Sequence, residues 1–175
     1  MVAFVDSIIT ARDGRRATVR ELRAADAPLV QQFVRALSPR SRRSRFFGPV
    51  RELSPAQLER VTQFDGSTGL GLAAVIGGDV IVGIAQHAVC DPSVAELAVV
   101  IADDWQRQGL GERLVRMLLA HAARTGIAAM HGFVAVANQP MLALASKLGF
   151  AFEQDADPGL VRIAKPLGRL RGIAV

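Results

Sequence analysis

The sequence predicts a mixed α/β (α+β) sandwich, with a mostly antiparallel central sheet of six to seven strands flanked by about four helices. Three observations predict it. Residues 70–101 hold three apolar, β-branched runs separated by turn signals. Residues 109–125 switch to a helical period, and a further strand and a helix opened by Asn138 come next. Strands joined by such short connections pair antiparallel, and helices that follow them pack on the sheet.

In chain order, residues 15–21 (RRATVRE) read as a first strand, with Thr18 and Val19 favouring extended backbone. Asp26-Ala27-Pro28 opens a helix, and Leu29, Val30, Phe33, Val34 and Leu37 recur at helical spacing. Ser54-Pro55 repeats the start signal for a helix through Leu58 and Val61 that ends near Phe64. The strands at 70–76, 80–90 and 94–101 are joined by Gly77-Gly78-Asp79, a tight-hairpin signal, and by Asp91-Pro92. Leu110, Leu114, Met117, Leu118 and Ala122 share one helical face, and Gly126 ends that helix. A strand at 127–136, a helix from Asn138 with Pro140 in its first turn to Gly149, and strands at 150–153 and 160–164 complete the set.

The 175 residues carry no repeat or linker and suit one domain. Cys90 is the single cysteine, which excludes an internal disulfide and suits a reducing compartment. The first ten residues lack a basic leader and a cleavage site, and no run approaches the roughly 20 apolar residues of a membrane span. A cytoplasmic protein is expected. The formal charge of +5 comes almost wholly from arginine, Lys147 and Lys165 being the only lysines. Such a field attracts anions without saying which.

The stretch VVIADDWQRQGLG (99–111) is the most informative. A strand ends, a short loop follows, and two glycines sit where a long helix begins. Glycines admit close approach to the backbone, and a helix start offers unpaired N–H groups, so the stretch can cradle a phosphate. No third glycine stands at position 114, so the dinucleotide fingerprint fails, and no Gly-Lys-Ser/Thr is present for a Walker A loop.

Gln106-Arg107-Gln108-Gly109-Leu110-Gly111 is similar at every defined position to the Q/R-x-x-G-x-G/A pyrophosphate loop of the GCN5-related N-acetyltransferases (GNAT). The resemblance spans residues 15–167, leaving 1–14 as an N-terminal extension and 168–175 as a tail. It implies the GNAT fold, acetyl-CoA as cosubstrate and no metal. It implies that main-chain N–H groups from Arg107, Gln108, Gly109, Leu110, Gly111 and Glu112 hold the CoA pyrophosphate. Val99, Val100 and Ile101 would pair with pantetheine where their strand splays from that at 127–136. Asn138 in ANQPMLALASKLGF matches the family's helix-opening Asn, and with Met141 would contact CoA; an N-cap role alone is the alternative. Glu112 suits a helix start but is awkward beside a diphosphate, so it should point away.

Acetyl transfer to an amine needs a neutral nucleophile, and only roughly one lysine side chain in a few thousand is neutral at pH 7. A carboxylate can take the proton. Glu96 interrupts the apolar run SVAELAVVIA and shares a strand face with Ala98 and Val100. A cleft wall there would desolvate Glu96 and strengthen it as a base; a charge on a solvated strand face is the alternative. The family often places its base on this strand. His87 is a lesser candidate facing the presumed cleft, and His121 and His131 rank below it. Many family members use a tyrosine in the last helix as general acid; here that position is Ala145, and the chain has no tyrosine.

The segment from Ser41 to Phe47, the LSP-led helix after it, Asp65 and ANQPMLALASKLGF further resemble Pat-type bacterial protein lysine acetyltransferases. That implies a protein substrate, such as an acyl-CoA synthetase. Arg40, Arg42, Arg43 and Arg45 could meet nucleic-acid phosphates, but no reading helix or stacking platform accompanies them. Phe46 and Phe47 are expected to anchor a helix to the core. No nucleic-acid or membrane partner is expected. Two other readings are a small-amine acetyltransferase and a CoA-binding sensor without turnover.

Overall fold

The computed structural model describes residues 4–65 and 67–168. In chain order its elements are β1 (Ser7–Thr10), β2 (Arg16–Glu21), α1 (Ala27–Ala36), α2 (Pro39–Phe46), α3 (Pro55–Thr62), β3 (Gly69–Ile76), β4 (Val80–Asp91), β5 (Val94–Ile101), α4 (Leu110–Arg124), β6 (Ala129–Ala135), α5 (Gln139–Lys147), β7 (Ala151–Gln154) and β8 (Leu160–Pro166). The strands form one sheet in the order β1-β2-β3-β4-β5-β6-β8-β7. Every neighbouring pair is antiparallel except β5 with β6. The mixed, mostly antiparallel sandwich is therefore as expected.

Two counts differ. Among the described residues the sheet has eight strands rather than six to seven. The additional one, β1, pairs with β2 at the sheet edge, inside the segment expected as an extension. Only Ile9 of its four residues is buried, too short a pattern for a period to register. Among the described residues there are five α-helices rather than about four. The unexpected α2, PRSRRSRF, buries no residue fully and has no apolar stripe. Its start signal is nonetheless present in the sequence: the Ser38 hydroxyl accepts from the Ser41 N–H, with Pro39 in the first turn. Arg42 donates to the carbonyls of Val34, Arg35 and Leu37, satisfying the end of α1. Phe46 packs against the core, but Phe47 is exposed at φ 54° as the helix's left-handed cap, so only the first of the pair anchors anything.

Side-chain alternation divides the core between the two sheet faces. On one, α4 and α5 bring Leu110, Leu114, Leu118 and Ala145 onto Ala95, Leu97, Met130, Val134 and Ile163. On the other, α1 and α3 bring Val30, Phe33, Val34 and Val61 onto Ala73, Val75 and Ile84. Leu114 and Leu118 are fully buried, so truncating either to alanine costs roughly 2–5 kcal/mol. Among the described residues no helix is long and apolar enough to cross a membrane. Of the expected tail, all but Gly168 lies outside the described residues.

Candidate active site

The parallel seam places the site. β5 and β6 pair only through Val94–Ala129, Ala95–Met130 and Glu96–His131. Beyond that rung β5 continues to Ile101 paired with β4, while β6 continues to Ala135 paired with β8. Val99, Val100 and Ile101 therefore present a main-chain edge facing no strand, which an extended ligand can join by sheet-type pairing. Gly132 follows the last rung; a Cβ there would stand 2.9 Å from the Leu97 carbonyl oxygen, so the two backbones meet only because this residue is glycine.

A short 3-10 turn (Asp103–Trp105) leads from β5 to the start of α4. Arg107 and Gly109 both adopt left-handed backbone, φ 59° and 84°. Among the described residues, the N–H groups of 107–112 meet no main-chain acceptor. The loop's carbonyls point the other way. The Arg12 N–H donates to the Gln108 oxygen at 3.1 Å and its guanidinium contacts the Arg107 oxygen. Arg15 donates to the Asp104 oxygen at 2.6 Å and lies over the Trp105 ring. Carbonyls held from behind leave amides facing outward at a helix N-terminus, which fits a diphosphate. Sequence reasoning missed Arg12 and Arg15 as braces, because nothing local links them to a loop some 90 residues on.

The individual side chains separate into binding and bracing. Gln106 donates to the Ser41 hydroxyl at 3.0 Å and the Ile101 carbonyl at 3.1 Å, tying the loop to α2. Asp103 accepts from the Ser38 and Ser41 hydroxyls at 2.7 and 2.8 Å, a second tie. Leu110 is buried and pins the helix start. Glu112 accepts from Lys147 at 2.6 Å and from Arg116 at 3.0 Å. Those two cations hold its carboxyl below the usual range. Asn138 Oδ1 accepts from the Met141 N–H at 3.3 Å, so the N-cap is formed.

Glu96 lies on the opposite sheet face from α4, at the mouth of the seam, with Ala98 and Val100. It is exposed rather than desolvated. Arg45 of α2 stands near enough to feel its charge; burial pushes that guanidinium down to about 10, leaving it charged at neutral pH. His131 pairs with Glu96 and shares its face, whereas His87 does not. His87 points into the α4 side of the core, its Nε2 3.3 Å from Nδ1 of His121, so the expectation that it faces the cleft is corrected. His131, ranked low from sequence, is the histidine that the fold brings to the site; only the pairing of β6 with β5 could have shown this. Ala145 is fully buried in the core, so the last-helix tyrosine position holds no group that could act. Among the described residues no group of three or more His, Cys, Asp or Glu is arranged to hold a metal ion.

A sheet parted along one parallel seam, beside an amide-rich turn at a helix start, defines an acyl-carrier-binding α/β fold. Residues 35–150 match the model of the Acetyltransferase (GNAT) family, and the chain belongs to that family. It is 37% identical over 149 residues to Acetyltransferase PA5475 of Pseudomonas aeruginosa, covering 83% of this chain and 80% of that one. The GNAT domain of S. lividans PAT superposes with a TM-score of 0.86 at 27% identity, covering 93% of this chain and 97% of that one. At the level of fold alone, yncA from Salmonella typhimurium, solved with its cofactor acetyl-CoA, gives a TM-score of 0.70 at 17% identity, covering 87% and 95%.

Proposed function

We propose that the chain transfers the acetyl group of acetyl-CoA to the side-chain amine of lysine in a target protein, with Glu96 as the base. The observation that carries this is the pairing of outward amides at 107–112 with the open edge of β5. The first suits the diphosphate of CoA and the second its pantetheine arm, with Asn138 and Met141 at the start of α5 closing on the same ligand. Bound there, acetyl-CoA supplies the thioester. Residues 15–167 form the catalytic unit in this reading, braced by the turn between β1 and β2.

The acceptor assignment draws on the likeness to the S. lividans PAT domain across nearly the whole chain, and on the Pat-like segments around α2. An exposed Glu96 at the seam mouth suits a base that must meet a lysine carried on another protein, such as an acyl-CoA synthetase. A bacterial cytoplasm, reducing and rich in acetyl-CoA, is the compartment this chemistry calls for. Labelled acetyl-CoA with a bacterial lysate should mark discrete proteins with the wild type, while Glu96→Gln binds acetyl-CoA but marks none. Brisk turnover of small amines with no labelled protein would instead make this a small-amine enzyme. Binding without Glu96-dependent CoA release would make it a sensor.

A further inference from the structure

Two polar atoms on the Glu96 face have no partner. Gln86 Oε1 and His131 Nδ1 are both buried, and neither makes a hydrogen bond. Native folds pair nearly all such atoms, so two orphans flanking one carboxylate need a reason. Register puts both beside Glu96. His131 pairs with it across the seam, and Gln86 lies diagonally on β4, because Ala88 pairs with Glu96 and Gln86 with Ala98. Diagonal neighbours on one face of an antiparallel pair, as Gln86 and Glu96 are, stand roughly 7–8 Å apart, within reach of long side chains, and His131 is the direct neighbour of Glu96 across the parallel seam.

All three groups can accept hydrogen bonds. Gln86 offers an amide oxygen and Glu96 a carboxylate. His131 is kept neutral at pH 7: desolvation, then the charge of Arg162, lowers it below its ordinary value of 6.5 against the opposing pull of Glu96 and Glu153. Three acceptors grouped on one face of the sheet match in number the three N–H donors of a primary ammonium. Arg45, the cation facing Glu96 from α2, competes for that carboxylate, so a bound ammonium gains from the two uncharged acceptors.

We infer that Gln86 and His131 complete, with Glu96, a three-acceptor seat for the ammonium of a primary amine. The seat presupposes Glu96 as the base. One N–H proton passes to the Glu96 carboxylate and frees the nitrogen lone pair. That pair bonds the thioester carbonyl carbon, the C–S bond breaks, and its electrons leave on sulfur. The proton shed by the new amide nitrogen goes to the thiolate, giving free CoA thiol, and Glu96 returns its proton to solvent. Gln86 and His131 hold the nitrogen and undergo no bond change. A secondary ammonium, with two donors, leaves one acceptor unmet.

Steady-state kinetics with a lysine peptide and its Nε-methylated counterpart test the seat. Gln86→Leu and His131→Phe should each raise KM for the primary amine about tenfold or more, with kcat and acetyl-CoA affinity unchanged. Gln86→Glu, which keeps an acceptor, should restore KM, and the methylated peptide should respond less. Glu96→Gln should lower kcat instead. Unchanged KM in Gln86→Leu and His131→Phe, beside an inactive Glu96→Gln, overturns the seat and leaves the base assignment standing. A fully active Glu96→Gln overturns both. Nitrogen NMR of the His131 ring, with CoA present, reads the seat without turnover. Its signals should move with n-butylammonium and not with tetramethylammonium, and signals unmoved by both overturn the seat.

Discussion

Nε2 of His87 lies 3.3 Å from Nδ1 of His121, joining β4 to α4 through two buried rings. Burial, and beyond it the neighbouring His121, push His87 down to about 4 from 6.5. The unfolded chain therefore takes up a proton at a pH where the folded chain refuses it. Stability is full above about pH 6.5, falls as pH drops from there toward 4, and levels below; the whole loss is on the order of 3 kcal/mol. Urea melts at pH 7.5 and 4.5 should show the midpoint falling on acidification, with a shallower fall in His87→Leu. Parallel pH dependences for the two proteins would refute this.

Gly109 carries the helix start at φ 84°, with only the Arg12 Nε, at 3.9 Å, near a would-be Cβ. The space is open, so Gly109→Ala is strained by backbone conformation alone, about 1–2 kcal/mol. A chain that relaxes this strain swings the amides out of line. Calorimetry should show acetyl-CoA bound about tenfold more weakly, while Arg107→Gly, which keeps φ 59° accessible, stays within a few-fold.

At Gly132 the obstacle is backbone. The Leu97 carbonyl oxygen, 2.9 Å from the point an alanine methyl would occupy, cannot yield as a side chain could. Gly132→Ala should destabilise by about 1–3 kcal/mol and lower kcat by shifting the seam at Glu96. Normal kcat in the folded variant would show that seam geometry does not matter to the chemistry.

Lys147 donates to the Glu112 carboxylate at 2.6 Å in the first turn of α4. Lys147→Ala should leave thermal stability nearly unchanged, as exposed ion pairs contribute little. It should weaken acetyl-CoA binding, most at low salt, since a carboxylate paired with Arg116 alone is less neutralised near a diphosphate. Adding Glu112→Gln should restore affinity; no restoration would count against the electrostatic cause.

Much of the site is legible in the sequence because its signals are local. The glycines at 109 and 111 open α4 as their spacing implies, Asn138 caps α5 through Met141, and the Gly77-Gly78-Asp79 hairpin forms with left-handed glycines. Even α2 announces itself through Ser38-Pro39, although its all-polar face hides it from any reading of period. The histidines fall in the wrong order for a different reason. Alternation tells that His87 and Glu96 lie on strands, but only pairing tells which face each shares.

By itself, the sequence determined the order of the elements other than β1 and α2, and the glycine turn that opens α4, because each is set by a few neighbouring residues. Tertiary structure alone decided where β5 leaves β6, that Arg12 and Arg15 hold the loop carbonyls, and that His131 rather than His87 stands by Glu96. Those facts depend on pairings between residues far apart in the chain, and no local propensity encodes which strand will lie beside which.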